Sequence, residues 1–140
     1  MIDETIKQLS YRVEDFKVIK NVLMTTGYIF FSEGHKLLGM WPARSGGYGN
    51  GTITYGRYQI GACNRIADIP ENKAYKREGY PWCVELIVPE YIDRTGLMIH
   101  PDGNIPGSLG CLVLTERDIS FYELVSRDIR DQPEMFLRCV

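Results

Sequence analysis

The stretch from Met98 to Leu114 constrains this chain more than any other. It is apolar at both ends, Met98-Ile99 and Leu112-Val113-Leu114, and carries Pro101, Asp102, Gly103, Asn104, Pro106, Gly107 and Gly110 between them. Gly and Pro set backbone angles that other residues resist, and Asp and Asn form local side-chain turns, so the stretch reads as strand, tight excursion, strand. His100 then stands where the first strand ends and Cys111 where the second begins. Neighbouring strands lie about 5 Å apart, which lets an imidazole and a thiol at such ends come within hydrogen-bonding reach.

A thiol is a poor nucleophile until it loses its proton. A free cysteine titrates near about 8.5, and a paired imidazolium or amide donors lower that by several units. Cys111 is the candidate nucleophile, and His100 the base that takes its proton and returns it to a leaving amine. Ser108 would brace the imidazole or meet the substrate. Gly110 lets the backbone approach a substrate closely, and its amide with that of Cys111 would hold an oxyanion, at about 3 kcal/mol per good donor. Asp102 could orient His100 or cap the turn.

Net charge is −2, with 16 Lys and Arg against 18 Asp and Glu. No basic excess exists to neutralise phosphates, so nucleic acid is not an expected partner. No apolar run reaches the roughly 18 residues of a membrane span. The acidic opening Met1-Ile2-Asp3-Glu4 does not read as a secretory leader, so synthesis in the cytoplasm is expected. The four cysteines, Cys63, Cys83, Cys111 and Cys139, have no close pair at metal spacing, and neither they nor His35 and His100 suggest a zinc site. Free thiols are expected, with Cys63, Cys83 and Cys139 as small buried hydrophobes. No metal or organic cofactor is called for.

The chain reads as one domain over 1–140, a helical extension over 1–20 and a catalytic core over 28–140. Ile2, Ile6, Leu9, Val13 and Phe16 recur at steps of three and four after a capping Asp3, which predicts an amphipathic helix over about 3–17. Lys17 to Met24 fits either a strand or the end of that helix, and Thr25-Thr26-Gly27 a turn. Tyr28–Phe31 and Lys36–Trp41 read as a hairpin around Gly34 and His35. A glycine cluster over 44–56 is a loop, a short strand follows over Arg57–Gly61, and 64–81 is a surface excursion. Trp82–Val88 is a strand. Thr115 to Asp118 resembles a capping box opening a helix that runs to Asp131, and Met135–Val140 closes as a strand. The order of signals predicts a mainly β domain of two packed or curved sheets, with one helix near each end.

The pattern His-Pro-Asp-Gly…Ser-Leu-Gly-Cys at 100–111 resembles the active-site signature of the L,D-transpeptidase catalytic domain family. Leu38 to Gly47 and Gly56-Arg57-Tyr58-Gln59-Ile60-Gly61 look like a run found in its short branch, which includes toxins delivered by type VI secretion. The resemblance covers roughly residues 28 to 140. It implies an L,D-transpeptidase-like β-sandwich. It also implies attack on a peptidoglycan stem peptide through a Cys111 acyl-enzyme, ending in carboxypeptidase, exchange or crosslinking chemistry. Ser45, Gly46, Tyr58, Asp102 and Gly103 are then the substrate-contact candidates. Leu109 stands where many members have His, and no Arg follows Cys111 within two positions, which tilts the reading towards hydrolysis or exchange in a divergent branch. Action in the periplasm or wall follows export or lysis, with a secretion apparatus or an immunity protein as further partners. Two other classes remain: a silent cell-wall or protein-interaction module on the same fold, and a cysteine amidase, although papain-like amidases place Cys before His.

Overall fold

The computed structural model describes residues 6–19, 21–46, 51–103 and 111–140. The protein is mainly β. Its described residues form β1 (Lys7–Ile19), β2 (Val22–Glu33), β3 (Lys36–Ser45), β4 (Gly56–Arg65), a 3-10 turn (Pro70–Tyr75), β5 (Trp82–Ile87), β6 (Met98–Pro101), β7 (Leu112–Leu114), α1 (Asp118–Asp131) and β8 (Phe136–Cys139). The strands follow one another as β1-β2-β3-β7-β6-β5-β4-β8 and close into a barrel. Closure comes from β8, which pairs parallel to β1 at Leu9–Leu137 and antiparallel to β4 at Tyr58–Leu137. The expected sandwich is corrected accordingly. A closed sheet leaves no unpaired edge, and its inward residues make most of the core, joined by Phe121, Tyr122 and Val125 from the helix after β7.

The expected N-terminal helix is also corrected, because β1 occupies that segment. Leu9 and Tyr11 are fully buried, with Ser10 and Arg12 alternating with them on the outer face. A register shift between Val13 and Asp15 then inserts an extra residue. A bulge turns steps of two into a step of three, which imitates helical spacing. Ile6 and Phe16, assigned to the apolar side of a helix, are exposed. Gly27 sits opposite Val13 inside β2, not in a turn. A Cβ there would lie 1.9 Å from the Arg12 carbonyl oxygen, so only glycine lets β1 approach at the bulge.

Across the barrel end at which β5 starts and β7 ends lies α1. Its Phe121 meets Trp41 edge-on at 5.3 Å, and its Tyr122 meets Trp82 at 5.1 Å. Such ring pairs add about 1 kcal/mol each beyond the area they bury. The indole of Trp41 donates to Ser120 Oγ and that of Trp82 to Asp118 Oδ2, both at 3.0 Å. The capping box is not formed: Arg117 stands at the N-cap in the left-handed region, and no side chain caps the helix. Asp118 is fully buried, and its Oδ1 has no hydrogen-bond partner among the described residues.

Burial, and secondarily Glu78, raise the Asp118 carboxyl above its ordinary value. A raised acid binds its proton more tightly in the folded state, so its ionisation costs stability as pH rises through the folded value. Asp118→Asn keeps an acceptor for Trp82 and removes the buried charge. The variant is expected to be more stable by about 1 kcal/mol near neutral pH. That gain should shrink on acidification in urea melts of both proteins.

Candidate active site

The register of β5, β6 and β7 fixes which side chains share a face. Val84, Ile99 and Leu112 pair across the three strands and are fully buried, so they point into the barrel. Alternation sends their neighbours outward. His100 is opposite Val113 on one side and, one step along the register, Cys83 on the other. The next outward row is Glu85, Met98 and, by continuing the register, Cys111. His100 and Cys111 therefore share the outer face on adjacent parallel strands, two residues apart along the sheet. Strand spacing and rise put such α-carbons about 8 Å apart on that face.

His100 Nδ1 lies 2.8 Å from the Pro101 carbonyl oxygen. A carbonyl only accepts, so Nδ1 carries a proton and Nε2 is the basic nitrogen of the neutral ring. The Tyr75 ring, on the 3-10 turn, packs 4.8 Å from the His100 ring. That turn approaches closely because position 103 is glycine: a Cβ there would lie 2.5 Å from the Lys73 carbonyl oxygen. Gly103 thus seats the roof over His100, which explains its type without a substrate contact.

The Cys111 thiol points to the Gly96 carbonyl oxygen at 3.7 Å. Burial pushes this thiol up, against the opposing pull of the Met98 amide and the Arg94 charge. Burial pushes His100 down, against the Pro101 carbonyl and the Asp102 charge. The expectation of a thiol lowered by an imidazolium partner is corrected: burial dominates, and the resting pair at neutral pH is a neutral thiol beside a neutral imidazole. Only 7% of Cys111 and 9% of His100 is exposed, so neither charged form is well solvated.

Asp102 is tied to the arginines around it, and its charge also acts on His100. Arg44, in the outward row of β3 beside Val113, donates from Nε at 2.5 Å and also from Nη2 to Asp102 Oδ2. Arg77 Nη1 donates to the Asp102 carbonyl at 3.0 Å, and the Asp102 amide donates to Leu114 at 2.8 Å. Four connections fix the segment directly after His100 and place a negative charge near its ring.

The remaining sequence candidates divide by face. Gly46, with φ +98, falls beside Cys111 when the β3–β7 register is continued. Ser45 is one residue away and points the other way. It is fully buried, and its Oγ accepts the Ile53 amide at 2.8 Å, pinning the glycine loop across the barrel end. Tyr58, a substrate-contact candidate, instead belongs to the core: it is fully buried inside the barrel, hydrogen-bonded through its hydroxyl to Thr54. Ser108 and Gly110 lie outside the described residues.

Two residues of the site were not anticipated. Arg94 donates to the carbonyls of Thr52 at 3.0 Å and Gly51 at 3.4 Å, tying the glycine loop to the segment before β6 while its charge lowers the Cys111 thiol. Arg94 lies before β6 and not after Cys111, and nothing in the local sequence marks it. Cys83 is buried, as expected of a small hydrophobe, but it lies in the outward row beside His100, and its charge interactions reach Cys111 and Tyr75. Its alternation with Trp82 and Val84 was the available signal. All four cysteines are free thiols.

Arg94→Gln is expected to move the Cys111 alkylation profile to higher pH and slow alkylation at fixed pH about tenfold. Arg94→Lys should recover part of that rate, because it restores the charge without the planar fork. A stopped-flow titration with iodoacetamide, whose neutrality avoids bias from nearby charges, checks both.

Among the described residues, no three His, Cys, Asp or Glu side chains gather to hold a metal ion, and no helix is long and apolar enough to cross a membrane. Compared with known proteins, the chain matches no family model and no curated protein sequence.

Proposed function

We propose that the protein is a cysteine acyltransferase or hydrolase acting on L,D peptide bonds of peptidoglycan stem peptides. The observation that carries this reading is the shared outer face of Cys111 and His100, with Nε2 the basic ring nitrogen. The sulfur attacks the scissile carbonyl carbon as Nε2 takes the thiol proton, and the tetrahedral oxyanion forms. Collapse breaks the C–N bond, and the imidazolium gives its proton to the departing amine. A thioester remains on Cys111. Water releases it as a carboxylate; the amine of a D-amino acid or of a second stem releases it as an exchanged or crosslinked peptide. Arg94 supports the reading because its positive charge stabilises the thiolate in the attack step.

The same burial favours a second reading, a silent interaction module, since buried thiols without a lowered pKa are inert. One experiment separates the two. Purified protein is incubated with disaccharide tetrapeptide, with and without a D-amino acid, and products are read by mass. Loss of the terminal D-Ala, or its replacement, supports the enzyme. Unchanged substrate under both conditions overturns it in favour of the module.

A further inference from the structure

On the side of the barrel opposite Cys111, the outer face of β4, β8, β1 and β2 carries a cluster of arginines. Arg57 stands directly opposite Arg138, and Arg138 opposite Ser10. The alternating residues Tyr58, Leu137 and Leu9 are fully buried, so the arginines point outward. Arg12, one outward step along β1 from Ser10, extends the cluster. Like charges directly opposed on antiparallel strands are destabilising. Arg57 leans away, its guanidinium 3.7 Å from the ring centre of Phe136, two residues from Arg138. Among the described residues, none of Arg12, Arg57 and Arg138 forms a salt bridge.

Two adjoining grooves of about 540 and about 450 Å³ run along this face, both lined by Gln8 and Arg138, and among the described residues no Asp or Glu side chain lines either. Beside the guanidinium forks, the walls offer the Gln8 amide, the Ser10 hydroxyl and the Phe30 ring. Paired forks suit a group with several acceptor oxygens, and amides, hydroxyls and rings suit a hydroxyl-rich backbone.

We propose that this face is a binding site for a phosphate-bearing polyol or sugar chain, with Arg57 and Arg138, which line one groove, supplying its phosphate contacts. The site is separate from Cys111 and does not depend on its chemistry. The probe is a synthetic glycerol-phosphate oligomer, titrated into the full chain by calorimetry at two salt concentrations. Neutral dextran, a carboxylated glycan and a single-stranded oligonucleotide of equal charge serve as comparisons.

Binding of the glycerol-phosphate oligomer is expected to weaken with salt, to be competed by inorganic phosphate, and to fall at least tenfold in Arg57→Gln and in Arg138→Gln. Dextran should not bind. Because each substitution relieves an opposed charge pair, the thermal midpoints of the free variants should equal or exceed the parent's. Undiminished binding in both variants would overturn the proposal, as would tighter binding of the oligonucleotide or the carboxylated glycan. A lowered midpoint in both variants would show that the arginines serve the fold instead, and would overturn it as well.

Discussion

Cys111→Ala is expected to abolish turnover of the tetrapeptide, a loss on the order of 10⁴-fold or more, while leaving the barrel intact. The size of the effect follows from the role: without the sulfur no thioester forms, and the remaining groups only bind and polarise. Cys111 stands just before β7, so alanine removes a small buried group and leaves the strand's own pairing untouched. Cys83→Ala is the informative comparison. Cys83 shares the same outer face and lies beside His100, but burial and the Glu85 and Cys111 charges all raise its pKa, with no opposing pull from Arg94. It should keep most activity, as should Cys63→Ala and Cys139→Ala, whose thiols burial pushes up to about 11 and about 12. Product mass and a thermal melt on each variant decide the matter. An active Cys111→Ala protein would remove the acyl-enzyme altogether.

How much of this was legible in the sequence depends on how local each determinant is. Strands with plain alternation were visible: Trp82-Cys83-Val84-Glu85-Leu86 became β5, and Met98–Pro101 and Leu112–Leu114 became β6 and β7 around the expected excursion. The first strand was not, because one bulge at Val13 and Asp15 disguised its period. The helix after β7 was expected, but its start was not, since Asp118 serves Trp82, far away in sequence, instead of capping its own helix. Closure of the sheet rests on the parallel pairing of β8 with β1, a contact between the two ends of the chain that no local pattern announces.

The candidate site divides in the same way. His100 and Cys111 were legible from turn chemistry, and register then brings them onto one face. Arg94 was not, because it reaches the cysteine through the fold and not through spacing. Asp102 was noticed for its neighbour in sequence, yet its charge is held by Arg44, from a strand formed much earlier in the chain. Tyr58 was misplaced because a strand's two faces are one residue apart, and its inward side is settled by pairing with Leu137. The electrostatic sign was misjudged for a related reason. Proximity of a histidine to a cysteine suggests an ion pair, but the Tyr75 roof adds burial, which opposes both charges.

That burial gives the pH dependence its shape. The competent free enzyme is the neutral pair, a protonated thiol beside an unprotonated imidazole. Acid removes it by protonating His100, and burial lowers that pKa below the ordinary 6.5, so the acidic limb of kcat/KM should lie below that value. Base removes it by ionising Cys111 before substrate arrives, and burial raises that pKa above the ordinary 9.0, so the alkaline limb should lie above that value. The two limbs belong to a coupled pair and are pushed apart, which predicts a broad plateau across neutral pH instead of a narrow bell. A preformed thiolate–imidazolium pair makes the opposite prediction for alkylation, because only the thiolate reacts. Iodoacetamide should therefore label Cys111 at pH 7 more slowly than it labels a free cysteine, with the rate still climbing above pH 9. His100→Ala should change that alkylation curve little, since a neutral imidazole does not hold the thiolate, yet should lower kcat/KM by about 10³-fold through loss of the proton carrier. Rapid labelling at pH 6 that disappears in His100→Ala would show that the ion pair is already formed, and that the pull of Arg94 and the Met98 amide outweighs burial.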